Sequence, residues 1–421
     1  MSGWRRQIKL SYSLGQLGRS TLLGTTSLGI RSVIQAAYLL IVSRWLGAEG
    51  YGLFAGSVAL VILGAPLANW GSSILLTRYI AQDRKKSRAL WATALMQTGT
   101  IGSLLVVGTL AFTTLVLQER LALGSMLLIA VSELILLPAA HAATSQCYAL
   151  ERLYASAVSI CLVPLGRILI VIGTVSSEFT GNPENAAAAH FIGSALGLLA
   201  ATALVTRIDG LPAWRSRLPF RDAIRQGSGY ALSNAVNTGY QEIDKILMLQ
   251  LLGPAVAGPY IVAFRIASIF TLPISALISA TLPRLMIQKG VANTLRTYRM
   301  VQLVALGYGA LAGTAMLITA PIVPYLFGSD YAKATEYLSL LAPWPILFAL
   351  HQCLATKLTA SDHQYFRTTV ETIGFLSAAA LNILLLPQIG ETASAFSLLA
   401  TEAMISIMLW IFINKKKNTT L

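Results

Sequence analysis

Four basic residues, Arg31, Arg167, Lys245 and Arg265, lie deep inside apolar runs long enough to cross a bilayer. A charge at membrane depth is expensive, so such residues face water or a partner and by default mark a path for something of opposite charge. Guanidinium groups grip phosphate oxygens through paired N–H donors and stay ionised at physiological pH. The chemistry on offer is the holding of an anion, a phosphate above all, inside a membrane.

These cations share helix faces with other polar groups. At 100° per residue, the first candidate span carries Ser27, Arg31, Gln35 and Tyr38 on one stripe, and the eighth carries Arg265, Ser268, Ser275 and Ser279. On the seventh, Asn234, Asn237, Thr238, Gln241 and Lys245 fall within about 100° of arc, with Glu242 and Asp244 at the edges. Such faces cannot look at lipid and must line water or another polar helix. For Lys245 the alternative is a buried pair with Asp244 or Glu242. Arg31 and Arg265 have no acid at i±3 or i±4, which leaves them free for a ligand unless another helix supplies one. Arg167 and Glu133 lie about 18 Å in from opposite ends of consecutive spans, hence at one depth. They read as a structural pair, with substrate contact or ion coupling as the alternatives.

Glu133, Glu242 and Asp244 are the candidates for ion coupling, while Glu371 and Glu402 in the last two spans suit either a proton site or helix packing. His141, His190, His351 and His363 show no metal-ligand spacing, and Cys147, Cys161 and Cys353, odd in number, read as packing residues. No cofactor is expected.

The elements that position these residues follow from composition. With 55% hydrophobic and 11% charged residues over 421, and a mean hydropathy of +0.66, the chain is too apolar for a soluble protein. Windows of about 20 apolar residues recur throughout, so an all-α polytopic membrane protein is expected. The spans read as Leu22–Ser43, Tyr51–Leu75, Leu90–Leu117, Leu121–Leu150, Ala155–Ser176 and Ala186–Thr206, then Ser228–Leu252, Gly258–Leu282, Met300–Tyr325, Tyr337–Lys357, Thr368–Leu386 and Thr392–Ile413. Pro273 should kink the eighth. Trp4 to Gly18 lacks the short apolar core and cleavage site of a signal peptide and reads as an interfacial helix.

The net charge of +14 divides unevenly over this topology. One side receives Arg5, Arg6, Lys9, Arg19, Arg78, Arg84, Lys85, Lys86, Arg88, Arg152, Arg207, Arg215, Arg217, Arg221, Arg225, Arg284, Lys289, Arg296, Arg299, Lys357, Arg367 and Lys415 to Lys417. The other keeps Arg44, Arg120 and Lys333. By the positive-inside rule the first side, with both termini, is cytoplasmic. Basic loops that hold topology or contact anionic headgroups need no nucleic acid, and none is expected as a partner.

Shifting the sequence by 206 positions sets Leu46-Gly47 on Leu252-Gly253, Leu76 and Arg78 on Leu282 and Arg284, and Gln146-Cys147 on Gln352-Cys353. Six spans per copy give two lobes of the same orientation around a cavity that rocking would open alternately to each side. The expected division is 1–206 for the first lobe, 207–227 for a cytoplasmic linker and 228–421 for the second lobe with a basic tail.

Residues Val42 to Phe54, VSRWLGAEGYGLF, are similar to the R-x-LG-x-x-x-YG-x-F signature of polysaccharide biosynthesis proteins. The second-half stretches Ile243 to Gly253, Gly258 to Tyr260 and Ala280 to Arg284 follow in matching order. The chain thus resembles the Wzx-type oligosaccharide flippases of the multidrug/oligosaccharidyl-lipid/polysaccharide (MOP) exporter superfamily. That resemblance implies two six-helix bundles in a V around a cationic cavity. It also implies transfer of undecaprenyl-pyrophosphate-linked oligosaccharide units to the periplasmic leaflet of a bacterial inner membrane, for O-antigen, capsule or exopolysaccharide assembly. A polymerase and a chain-length regulator would be partners. Arg31 and Arg265 match the positions of arginines in the first and eighth spans of related flippases; Lys245 matches more loosely. Two other readings are a drug exporter of the same superfamily, which would need an acidic cavity, and a membrane polymerase or ligase, which would need a large periplasmic loop.

Overall fold

The computed structural model describes residues 2–115, 121–216, 220–287, 291–361 and 363–419, with side chains other than those of 2–23, 25, 216, 220, 282–287, 291–295 and 416–419. Arg120, Arg217 and Lys289 lie outside the described residues, as do the side chains of Arg5, Arg6, Lys9, Arg19, Arg284, Lys416 and Lys417. Every regular element described is helical. The backbone of the Trp4–Gly18 stretch continues into the first span as one helix from Ser2, and its side chains fall outside the described set.

Among the described residues, eight helices are long and apolar enough to cross a membrane, nine if Ser329–Leu340 and Trp344–Ala360, bent by 48°, count as one. Three further passes are hidden from a hydropathy window. Ser2–Ile62 holds two helices that meet at Gly47, where φ is 68°. Gln364–Ile389 and Ala393–Thr419 are separate passes joined by Gly390–Thr392. Phe220–Leu252 spans despite its polar face. The twelve passes expected from sequence are present, most of them longer at the ends than the apolar windows.

Breaks occur where the backbone loses a donor or a favourable φ. The second span continues from Gly47 through Ala65–Asn69 to Ser72–Gln82, interrupted at Trp70 and Gly71, both left-handed. The tenth bends at Pro343, and the ninth narrows into a 3-10 turn at Ala320–Ile322 around Pro321. The expected kink at Pro273 is not a break: Pro254–Ile287 runs through it as one helix. A single missing i→i−4 bond is tolerable where lipid offers the remaining backbone groups no other partner.

The two halves meet across a two-fold relation. A Cβ on Gly52 would lie 2.0 Å from the Pro254 carbonyl oxygen, and one on Gly258 would lie 2.0 Å from that of Ala48. Position 48 is equivalent to 254, and 52 to 258, so each contact is the symmetry mate of the other. Gly47 and Gly253, also equivalent, both take positive φ, 68° and 94°, and each turns the chain from one span into the next in a single residue. Tyr51 and Phe54 join Tyr260, Phe264 and Tyr337 in one core that seals this end. The basic end has its own seam: Trp70 Nε1 donates to the Ile224 carbonyl at 2.9 Å, Tyr79 donates to Gln226, and Gly227 lies against the Trp70 carbonyl.

A cationic cavity between the lobes

Between the two seams lies a cavity of about 300 Å³. Ser32, Gln35 and Tyr38 of the first span line it, with Glu133, Arg167 and His190 from the fourth to sixth and Arg265 and Ser268 from the eighth. Leu39, Tyr51, Phe54, Val58 and Leu272 supply apolar wall.

The first lobe presents a hydrogen-bonded chain. Arg167 Nη2 reaches Glu133 Oε1 at 2.7 Å, the partner their common depth suggests, and its Nε donates to Ser194 Oγ at 2.8 Å. His190 Nε2 meets the same Glu133 oxygen at 2.7 Å, and its Nδ1 lies 2.9 Å from the Tyr38 hydroxyl. With Tyr38 donating to Nδ1, a neutral imidazole donates from Nε2 to the carboxylate, so one tautomer satisfies the chain. Backbone geometry builds this site in two places. Pro138 cannot donate to the Leu134 carbonyl, and the fourth span widens into a π-turn over Ser132–Leu136, which contains Glu133. Gly166 and Gly193 let the fifth and sixth spans touch backbone to backbone, with a Cβ on Gly193 only 2.5 Å from Arg167 Cα. That approach brings His190, Ser194 and Arg167 together.

The second lobe contributes Arg265, whose Nη2 lies 3.3 Å from Glu242 Oε2. The acid that its own helix lacks comes from the seventh span. Arg265 nevertheless keeps 36% of its side chain exposed and lines the cavity. Lys245 does not reach the cavity, contrary to the placement its stripe suggested. Its side chain has no exposed surface; Nζ lies 2.9 Å from Asp244 Oδ1 and 3.3 Å from the Phe264 ring centroid, and donates to the Gln241 carbonyl. Asp244 also accepts from Tyr260. The reason is local: Asp244, at the edge of the polar face, and the Phe264 ring of the next span hold the ammonium within the protein. Asn234, Asn237 and Gln241 are exposed on one face of the seventh span, with Gln241 Nε2 donating to Asn237 Oδ1 at 2.9 Å; the cavity wall described here does not include them.

Arg31 is half-buried, one turn from Gln35, beside Cys161, whose Sγ contacts the Ser27 carbonyl at 3.7 Å. Its Nε is buried without a hydrogen-bond partner, and no described carboxylate lies within ion-pair distance. Around the cavity, Glu133 offsets Arg167 and Glu242 offsets Arg265. Arg31, expected in the cavity, is not among the residues that line it, although Ser32 and Gln35 of the same helix are; it lies beside the wall without a described carboxylate. Two guanidiniums, one carboxylate and the amide and hydroxyl groups of Gln35, Ser32 and Ser268 give the wall its polar character. Sequence reasoning missed His190, because its partners Tyr38 and Glu133 are 152 and 57 residues away and no local spacing announces them.

A family model described as polysaccharide biosynthesis protein matches residues 17–287. No curated protein matches the chain. Among solved structures, the inward-facing conformation of a multidrug resistance MATE family transporter of the MOP superfamily superposes with a TM-score of 0.73, at 14% identity, over 92% of this chain and 95% of that one. The outward-facing conformation of such a transporter gives 0.68 at 15% identity, over 95% and 96%. A MOP superfamily transporter from Pyrococcus furiosus Vc1, whose binding pocket is described as reversed in polarity, gives 0.61 at 12% identity, over 94% and 95%.

Proposed function

From the membership of this chain in the polysaccharide biosynthesis protein family, together with its MATE-type fold, we propose that it is a flippase for undecaprenyl-pyrophosphate-linked oligosaccharide repeat units. It moves them from the cytoplasmic to the periplasmic leaflet of a bacterial inner membrane, with the basic face cytoplasmic. The observation that carries this reading is a cavity lined by the Arg167 and Arg265 guanidiniums, with the unmatched Arg31 just outside its wall, one turn from the lining Gln35. A pyrophosphate suits such a chamber because each phosphate accepts paired N–H donors, and the Glu133 and Glu242 partners hold Arg167 and Arg265 in place until a stronger acceptor arrives. The polyprenyl tail stays in lipid while the sugars occupy the hydrated space.

Export of organic cations fits poorly, since a cationic guest would meet Arg167 and Arg265 against a single lining carboxylate, Glu133. Reversed pocket polarity has been read as a sign of different function in the P. furiosus relative. The products belong to O-antigen, capsule or exopolysaccharide assembly, and a polymerase with its chain-length regulator would consume them. Thermal unfolding of the purified protein with and without undecaprenyl pyrophosphate carrying one N-acetylglucosamine tests the reading. The lipid should raise the midpoint of wild type and not of Arg31→Gln; equal stabilisation of both, or of neither, would remove its basis.

A further inference from the structure

A third buried charge cluster lies in the second lobe, outside the cavity. His351 Nδ1 is 2.8 Å from Glu402 Oε2, and Trp344 Nε1 donates to Glu402 Oε1 at 3.2 Å. On the other side of the ring, Nε2 faces Glu371 Oε1 at 3.8 Å, too far for a hydrogen bond, and is buried with no partner. Arg367 Nε binds Glu371 at 2.7 Å and its Nη1 donates to Thr359 Oγ1 at 3.0 Å. Arg367 is in the first turn of Gln364–Ile389, at the basic face, so Arg367, Glu371, His351 and Glu402 lead inward in that order and become progressively more buried.

Charge balance separates this cluster from the other two. Glu133 is matched by Arg167, and Glu242 with Asp244 by Arg265 with Lys245, so both are neutral with no proton added. Here two carboxylates, Glu371 and Glu402, share one guanidinium. Neutrality at this depth requires one more positive charge, because an unbalanced buried carboxylate is strongly unfavourable. A proton on the His351–Glu402 pair supplies it from within the cluster. The ion pairs described for these two carboxylates are with His351 and Arg367; Arg265 of Pro254–Ile287 is paired with Glu242, Lys357 Nζ lies 5.1 Å from the Tyr298 ring, and Tyr240 of the seventh span stands beside Glu402.

We propose that the His351–Glu402–Glu371 cluster is the protein's exchangeable proton site, and that the proton it takes up and releases drives translocation. The loaded form is an imidazolium with Nδ1–H on Glu402 and Nε2–H directed at Glu371. Unloading moves the Nε2 proton to the Glu371 carboxylate and from there past Arg367 to the basic face, leaving a neutral imidazole and one uncompensated charge. That charge is felt at the cavity through the seventh span, where Tyr240 is one turn from Asp244 and the Asp244, Lys245, Glu242, Arg265 set. This assignment rests on the transport reading for its consequence and not for its chemistry.

Two measurements on the full-length protein in lipid test it. Infrared difference spectroscopy between acid and alkaline pH needs no substrate: wild type should show one coupled histidine and carboxylate titration that His351→Gln and Glu402→Gln each abolish, and a spectrum unchanged by both would overturn the site. In proteoliposomes loaded with undecaprenyl-pyrophosphate N-acetylglucosamine, an imposed pH gradient should accelerate wild-type flipping at least fivefold over gradient-free exchange. His351→Gln and the double variant His351→Gln/Glu402→Gln should keep gradient-free exchange and lose that acceleration. Acceleration that persists in the variants, or that only a sodium gradient gives, refutes the proton role. Absence of any wild-type flipping would instead fall on the flippase reading, with the infrared result still judging the site.

Discussion

Replacing Arg167 by Gln removes the guanidinium paired with Glu133, a carboxylate with 1% of its side chain exposed. Breaking a buried pair from one side costs about 3–5 kcal/mol, because the partner stays charged and desolvated. Loss of the hydrogen bond to Ser194 adds about 1 kcal/mol. His190 still donates to Glu133 and recovers part of this, so a net loss of about 4 kcal/mol is expected, roughly a thousandfold in the folded-to-unfolded ratio. The reciprocal change is milder: Glu133→Gln leaves Arg167, 15% exposed at the cavity wall, within reach of water, at a cost of about 1–2 kcal/mol. The double variant carries no buried charge and two amides able to bond each other. Its stability should lie near that of Glu133→Gln alone, which makes the coupling energy in a double-mutant cycle about 3 kcal/mol or more. Reversible unfolding in bicelles by SDS titration gives all four values. Additive single effects, or an Arg167→Gln protein as stable as wild type, would refute the argument that this pair is a buried structural unit.

Lys245→Met should destabilise by about 3 kcal/mol, by stripping Asp244 of its cation, while leaving stabilisation by the pyrophosphate lipid intact; a stable variant that no longer binds the lipid would put Lys245 back in the binding site. Gly52→Val places a side chain where 2.0 Å separates a Cβ from the Pro254 carbonyl, so the two lobes must part at that end. Spin labels at Glu49→Cys and Ala255→Cys should then report a longer distance, and an unchanged distribution would show that the seam is not tight. Arg31→Gln removes an unpaired charge and should change folding stability by less than about 0.5 kcal/mol, measured in the same SDS titration; a loss like that of Arg167→Gln would reveal a hidden partner.

The sequence disclosed the passes and the internal symmetry because both rest on patterns a single helix must obey. Apolar runs of span length and glycines at equivalent turns, Gly47 and Gly253, follow from lipid and backbone alone. Arg167 and Glu133 were paired from depth, since adjacent spans share a short turn. Pairing across distant spans was not legible. Nothing near Arg265 marks Glu242 as its neighbour, and nothing near His351 marks Glu402, since each contact depends on how helices rotate about their axes. Lys245 shows the same limit within one helix: its place on the polar stripe does not say whether the side chain turns to the cavity or to Asp244, and the Phe264 ring from the next span decides it. The break at Trp70-Gly71 was overlooked although Asn69, Gly71, Ser72 and Ser73 mark it, because the apolar residues on either side carry a hydropathy window across it.

The most direct test of the cationic chamber is a leaflet-exposure assay of undecaprenyl-pyrophosphate-linked oligosaccharide in proteoliposomes, comparing wild type with Arg31→Gln and Arg265→Gln. Wild type should bring the lipid to the outer leaflet at least tenfold faster than either variant, with all three proteins equally folded by gel filtration. Rates that do not depend on either arginine would contradict the account.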